Sequence, residues 1–120
     1  MERKTILIVE ADADLRWNLG FVLELEGYDV LSAANGQDAL EQLAMMEKPA
    51  LIFVDAVDAL RPLMNRRQFL EVLKSDAALA DLPVIVYSPF GSAKIAGADA
   101  SMEMPLELDR VLQMASQYCA

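Results

Sequence analysis

The run Pro49-Ala-Leu-Ile-Phe-Val-Asp55 constrains the fold of this chain more than any other stretch, because its apolar residues show no alternation. A strand with one wet face alternates polar and apolar side chains, whereas an unbroken apolar run belongs to a strand buried on both faces. Such strands occur in parallel sheets covered by helices on each side. The run ends abruptly in a carboxylate, at the carboxyl end of its strand, where open α/β sheets place their binding sites. Asp55 is therefore the first candidate for chemistry.

The segments around it extend the pattern. Thr5 to Glu10 is a strand of the same kind, followed by the acidic turn Ala11-Asp-Ala-Asp14, in which Asp12 or Asp14 can cap a helix. That helix is expected from about Ala13 to Glu26, ending at Gly27, a residue suited to a left-handed cap. Tyr28 to Ala33 reads as a second strand. Gly36 to about Met46 reads as a helix with Ala39, Leu40, Leu43 and Ala44 on one face, closed by Pro49. Beyond Asp55 the pattern blurs through Pro62, and a helix resumes near Arg66 with Phe69, Leu70 and Leu73. Pro83 to Tyr87 is a fourth buried strand, ending at Ser88. Pro89 to Ala98 is Gly- and Ala-rich, a loop or at most a turn or two of helix. Ala100 to Met104 is a weaker fifth strand, and Pro105 opens a last helix over Leu106 to Tyr118. Strands and helices alternating without repeat or linker predict one α/β domain over residues 1–120, a parallel sheet with helices on both faces.

Composition removes whole classes of function. The chain has no histidine, which excludes His-based general bases, catalytic triads and His-metal sites. Its single cysteine, Cys119, excludes a disulfide framework and a cysteine zinc site. A net charge of -9 argues against nucleic acid, whose phosphates need clustered Lys and Arg. The arginine pair Arg66-Arg67 is read as a solvated helix start. No apolar run approaches the ~18 residues of a membrane span, and the N-terminus lacks a signal-peptide pattern. The expectation is a cytoplasmic protein. The first turn has no Gly-rich phosphate loop, which leaves a small α/β enzyme a remote reading.

Six segments carry a resemblance to a known family. They are Ile6-Leu-Ile-Val-Glu10, Leu25-Glu-Gly-Tyr-Asp-Val30, Ala33-Ala-Asn-Gly-Gln-Asp-Ala-Leu40, Pro49 through Asp55, Leu82-Pro-Val-Ile-Val-Tyr-Ser88 and Gly97-Ala-Asp99. Together they resemble the receiver domain of two-component response regulators along essentially the whole chain. The resemblance implies a flavodoxin-like (CheY-like) doubly wound five-stranded parallel sheet, order 2-1-3-4-5. It also implies a site in which two acidic residues ending strand one, with an acceptor aspartate ending strand three, hold Mg²⁺. In that family a Thr or Ser ends strand four, and a Lys precedes a Pro after strand five. By this mapping Asp55 is the phosphoacceptor position, Ser88 the hydroxyl position and Glu10 the first acidic position. The chemistry is attack of a carboxylate on a phosphohistidine, whose dianionic product must be neutralised by metal, lysine and hydrogen-bond donors.

The departures from that family weigh as much as the matches. Ala11 stands at the second acidic position and Met104 in place of the lysine, so a hard oxygen ligand and a fixed positive charge are both lost. Weak Mg²⁺ or Ca²⁺ binding stays open, because Glu10, Asp12, Asp55 and Asp58 could cluster, and crowded carboxylates recruit a cation. Asp58 competes with Asp55 for the acceptor role on its spacing to Pro62; the unbroken strand favours Asp55. The segment from Ser88 to Met104 is shorter than in the family, so the family's fourth helix is expected to be short or missing. Ser101 stands where the family has a switch Tyr or Phe.

The first helix offers a separate clue. At ~100° per residue Leu15, Leu19, Val22 and Leu23 share one face, while Trp17, Phe21 and Leu25 form a second stripe. Exposed stripes of large apolar residues are partner sites, and Trp is enriched at binding hot spots. In the resembled family this helix docks histidine kinases and phosphotransfer domains. The alternative is that the last helix or the N-terminus covers it. Met45, Met46, Met102 and Met104 are read as pliable core filler, and Cys119 as unremarkable, a terminal thiol that could cross-link in vitro only if exposed.

Two functions follow from different classes. The first is a degenerate receiver, or pseudo-receiver, acting through its first helix, its altered strand-four-to-five surface or both as a phosphorylation-independent interaction module for a histidine kinase, a phosphotransfer domain, another regulator or a second copy of itself. The second is a working phosphoacceptor, phosphorylated on Asp55 by a histidine kinase with Mg²⁺; self-phosphorylation is then its only catalysis.

Overall fold

The computed structural model describes residues 3–55, 66–88 and 97–119. Along them run β1 (Thr5–Val9), α1 (Ala13–Leu25), β2 (Asp29–Ala33), α2 (Gly36–Met45), β3 (Leu51–Asp55), α3 (Arg66–Ser75), β4 (Val84–Ser88), β5 (Ala100–Glu103) and α4 (Leu108–Tyr118). The five strands form one sheet in the order β2-β1-β3-β4-β5, and every neighbouring pair is parallel. Parallel neighbours cannot be joined by tight hairpins, so the connections cross the sheet and lay their helices on its faces. This is the expected doubly wound, flavodoxin-like sheet.

Alternating side chains divide each central strand between two cores. Ile6 and Ile8, Leu51 and Phe53, and Ile85 and Tyr87 enter one core with Leu19 and Leu23 of α1 and Val111, Met114 and Ala115 of α4. Leu7 and Val9, Ile52 and Val54, and Val84 and Val86 enter the other with Ala39 and Leu43 of α2 and Phe69, Leu70 and Leu73 of α3. Both faces of β3 are therefore covered, which is why its sequence shows no alternation. Each large side chain so buried contributes about 1.5–3 kcal/mol of transfer free energy.

Local signals set the helix ends. Asp12 is the N-cap of α1: its Oδ1 accepts from the backbone N–H groups of Asp14 and Leu15 at 2.9 and 3.2 Å. Gly27 follows α1 at φ +99°, a conformation that only glycine adopts without strain. Asn35 caps α2 by accepting from the Asp38 N–H. Pro105 does not open the last helix, as the sequence reading had it; α4 starts at Leu108 behind Glu107. Residues 104–107 instead carry the chain from the edge strand to the helix layer, with Leu106 packed against the first core.

One further expectation is corrected. Met45 is 88% exposed, because it lies two residues, or ~200° of helix, beyond the buried Leu43. The other three methionines do pack against the cores. Cys119 is buried in the first core, not exposed, and that burial pushes its thiol pKa up. The expected short fourth helix of the family, and Asp58, lie outside the described residues.

Candidate functional site

Strand order reverses direction between β1 and β3, which opens a crevice at the carboxyl end of the sheet. Val9 pairs with Val54, and Asp55 with Tyr87. Glu10, Asp55 and Tyr87 thus stand in a row across the ends of β1, β3 and β4. Side chains two apart in a strand share a face, so Glu10 follows Ile8 and Asp55 follows Phe53 onto the side of the first core, where Tyr87 also lies.

Glu10 is the buried polar residue of this row, 2% exposed. A carboxylate taken out of water must find donors. Its Oε1 accepts from the Tyr87 hydroxyl at 2.9 Å and its Oε2 from the Asp12 N–H at 3.0 Å. Its backbone is held as firmly: the Glu10 N–H donates to the Ala33 carbonyl at 2.9 Å, and Arg16 Nη1 donates to the Glu10 carbonyl at 2.7 Å. The turn into α1 is therefore fixed by hydrogen bonds internal to the domain.

The Tyr87 bond crosses the sheet. β3 lies between β1 and β4, and strands are ~4.8 Å apart, so the bond joins strands separated by ~9.6 Å. The Tyr87 side chain consequently reaches over β3 beside Asp55. Its phenol pKa is pushed far above the ordinary value, first by burial, then by the charge of Glu10 and their hydrogen bond, and then by the charge of Asp55. The hydroxyl stays a donor throughout the physiological range.

The other sequence candidates divide. Asp55 is half-buried at the end of β3, as expected. Met104 is half-buried against the first core, an apolar side chain where the family has a cation. Ser88 ends β4 opposite Glu103, and its side chain lies outside what is described. Asp12 is exposed, and its carboxylate serves as the helix cap. Among the described residues no three acidic groups converge on a point that could hold a metal ion. The described residues do not fit Mg²⁺. Such an ion keeps several waters around it, whereas Glu10 is sealed from solvent and both its oxygens already accept from the protein. Tyr87 was absent from the sequence candidates. Its signal was available only in outline: a buried tyrosine must find a partner for its hydroxyl.

A second surface lies on α1. Trp17, Phe21 and Leu25 are 66%, 48% and 70% exposed, so neither α4 nor the described N-terminal residues cover them. The Trp17 and Phe21 rings stack with centroids 5.2 Å apart and planes 7° from parallel. Gly20, between them in sequence, packs against Val30 of β2, where an added methyl group would stand 3.4 Å from the Val30 side chain.

No protein-family model matches the sequence. Curated relatives do. The chain is 29% identical over 116 residues to the transcriptional regulatory protein PdtaR of Mycobacterium tuberculosis, covering 91% of this chain and 53% of that one. It is 32% identical over 105 residues to the phosphate regulon transcriptional regulatory protein PhoB of Pseudomonas aeruginosa, covering 86% and 44%. With Protein PilH of the same organism it shares 37% over 81 residues, covering 68% and 64%. The chain thus spans about half the length of PdtaR and PhoB. Among solved structures, the signal receiver domain of a signal transduction histidine kinase from Syntrophus aciditrophicus superposes with a TM-score of 0.85 at 25% identity, covering 97% of this chain and 89% of that domain. The chemotaxis protein CheY4 of Vibrio cholerae superposes at 0.86 over 98% and 99%, and its 20% identity speaks to the fold. Sheet order, the carboxylate at the end of β3 and these relatives agree: the chain belongs to the CheY-like receiver domains of two-component response regulators.

Proposed function

We propose that this receiver domain is a protein-interaction module that signals without phosphorylation. The observation that carries the reading is the hydrogen bond from Tyr87 Oη to Glu10 Oε1, which commits the buried acidic side chain among the described residues to a protein donor. A phosphoryl group on Asp55 would need cationic compensation. Ala11 and Met104 offer none, and Glu10 is already satisfied. The α1 stripe supports docking as the mode of action, with a histidine kinase, a phosphotransfer domain, another regulator or a second copy as partner. The charge of -9 repels nucleic-acid phosphates, which favours a protein partner. Among the described residues no helix is long and apolar enough to cross a membrane, which suits a cytoplasmic partner. No catalysis is assigned beyond what Asp55 could do to itself.

The second reading is a working phosphoacceptor, and the half-buried Asp55 at the mouth of the crevice is what favours it. Incubation with Mg²⁺ and acetyl phosphate or beryllofluoride, read by intact mass and NMR, separates the two. The first reading expects an unchanged mass and spectrum. A stable adduct on Asp55 at millimolar Mg²⁺ would sink it.

A further inference from the structure

Tyr87 has no counterpart in the chemistry that the family resemblance implies, yet it makes the one buried side-chain bond of the crevice among the described residues. Three features define its position. It is 0% exposed, so the hydroxyl has no water to fall back on and must be satisfied by the protein. It reaches across β3 to Glu10, passing beside Asp55. And the carboxylate it meets has only neutral donors, the phenol and the Asp12 N–H, against a full negative charge.

We propose that Tyr87 is a positioning residue that takes the place of a cation at Glu10: its phenol balances the buried carboxylate and closes the crevice to divalent ions. The inference deepens the phosphorylation-independent reading and rests on the commitment of both Glu10 carboxylate oxygens to neutral protein donors. It says that ion binding is blocked twice, once by the missing ligand at position 11 and once by Tyr87. Restoring the ligand alone, by Ala11→Asp, leaves Glu10 turned to the phenol. Restoring the ligand and removing the hydroxyl, by Ala11→Asp with Tyr87→Phe, frees Oε1 to face an ion. The phenylalanine keeps the ring in the core, so the fold survives the test; Tyr87→Val in the same background removes the ring as well.

The experiment is Mn²⁺ binding by electron paramagnetic resonance, with circular dichroism to verify that each variant is folded. Phosphorylation is not the readout, so this result stands apart from whether Asp55 accepts a phosphoryl group. The double variants A11D/Y87F or A11D/Y87V are expected to bind Mn²⁺ at least about tenfold more tightly than A11D, the factor set by releasing one charge-assisted hydrogen bond. Adding Glu10→Gln to the tighter double variant is expected to abolish the gain. Equal binding by A11D and both double variants overturns the proposal, as does a gain that survives Glu10→Gln. A merely structural role for Tyr87 would weaken the fold and could not create an ion site.

Discussion

Deleting a single oxygen, Tyr87→Phe, probes the bond on which the functional reading depends. The ring stays in its packed position in the first core, so the hydrophobic contribution hardly changes. What is lost is one buried hydrogen bond to a carboxylate, worth about 1.5–3 kcal/mol, because Glu10 is left with the Asp12 amide alone. For 120 residues the unfolding entropy near the melting point is about 0.25 kcal/mol/K, so Tm should fall by about 6–12 °C. Urea unfolding followed by far-UV circular dichroism measures the same loss as a shift in midpoint. Glu10→Gln supplies the second arm of a double-mutant cycle. With a neutral acceptor at position 10, the cost of Tyr87→Phe should shrink to about 0.5–1.5 kcal/mol. An unchanged cost in both backgrounds, or a cost under about 0.5 kcal/mol in the wild type, would refute the claim that the phenol offsets the buried charge.

Three further outcomes are expected. Tyr87 ionises near pH 10 in the unfolded chain but much higher when folded, so its contribution is fully present below about pH 10 and is lost above it at ~1.4 kcal/mol per pH unit. Alkaline denaturation monitored at fixed urea should show that slope, and Tyr87→Phe should retain only the part due to Tyr28 and Cys119, both also raised by burial. Gly27→Ala should cost about 1 kcal/mol or more through backbone strain at φ +99°, since open space around the glycine rules out a clash; an unchanged Tm would contradict that. Replacing Trp17 and Phe21 together by serine should cost less than about 1.5 kcal/mol of stability, the value of an exposed ring stack, while weakening binding of the proposed signalling partner at least about 30-fold by calorimetry. Undiminished affinity would move the docking site off α1.

Much of the architecture is legible in the sequence. The unbroken apolar runs of β1, β3 and β4 follow directly from burial on both faces, and Gly27 and Asp12 mark the ends of α1 by their own backbone chemistry. The Trp17-Phe21-Leu25 stripe was legible because helical periodicity is local, and the structure leaves it exposed. Expectations failed where periodicity ran out. Pro105 precedes by three residues the helix it was expected to open, and Met45, expected in the core, and Cys119, expected to be unremarkable, lie exposed and buried respectively. Their burial depends on which element lies opposite, and a pattern along the chain does not contain that.

The candidate site divides along the same line. The sequence by itself determined that Asp55 ends a buried central strand, and its resemblance to receiver domains implies that Ala11 and Met104 stand where a second ligand and a lysine would be. Only the tertiary structure decided what meets Glu10. Its partner Tyr87 lies 77 residues away and reaches it across an intervening strand. That meeting requires the order β1-β3-β4, the register of Asp55 with Tyr87, and a shared face of the sheet. A carboxylate's need for a donor is a property of the residue, but the identity of the donor is a property of the fold.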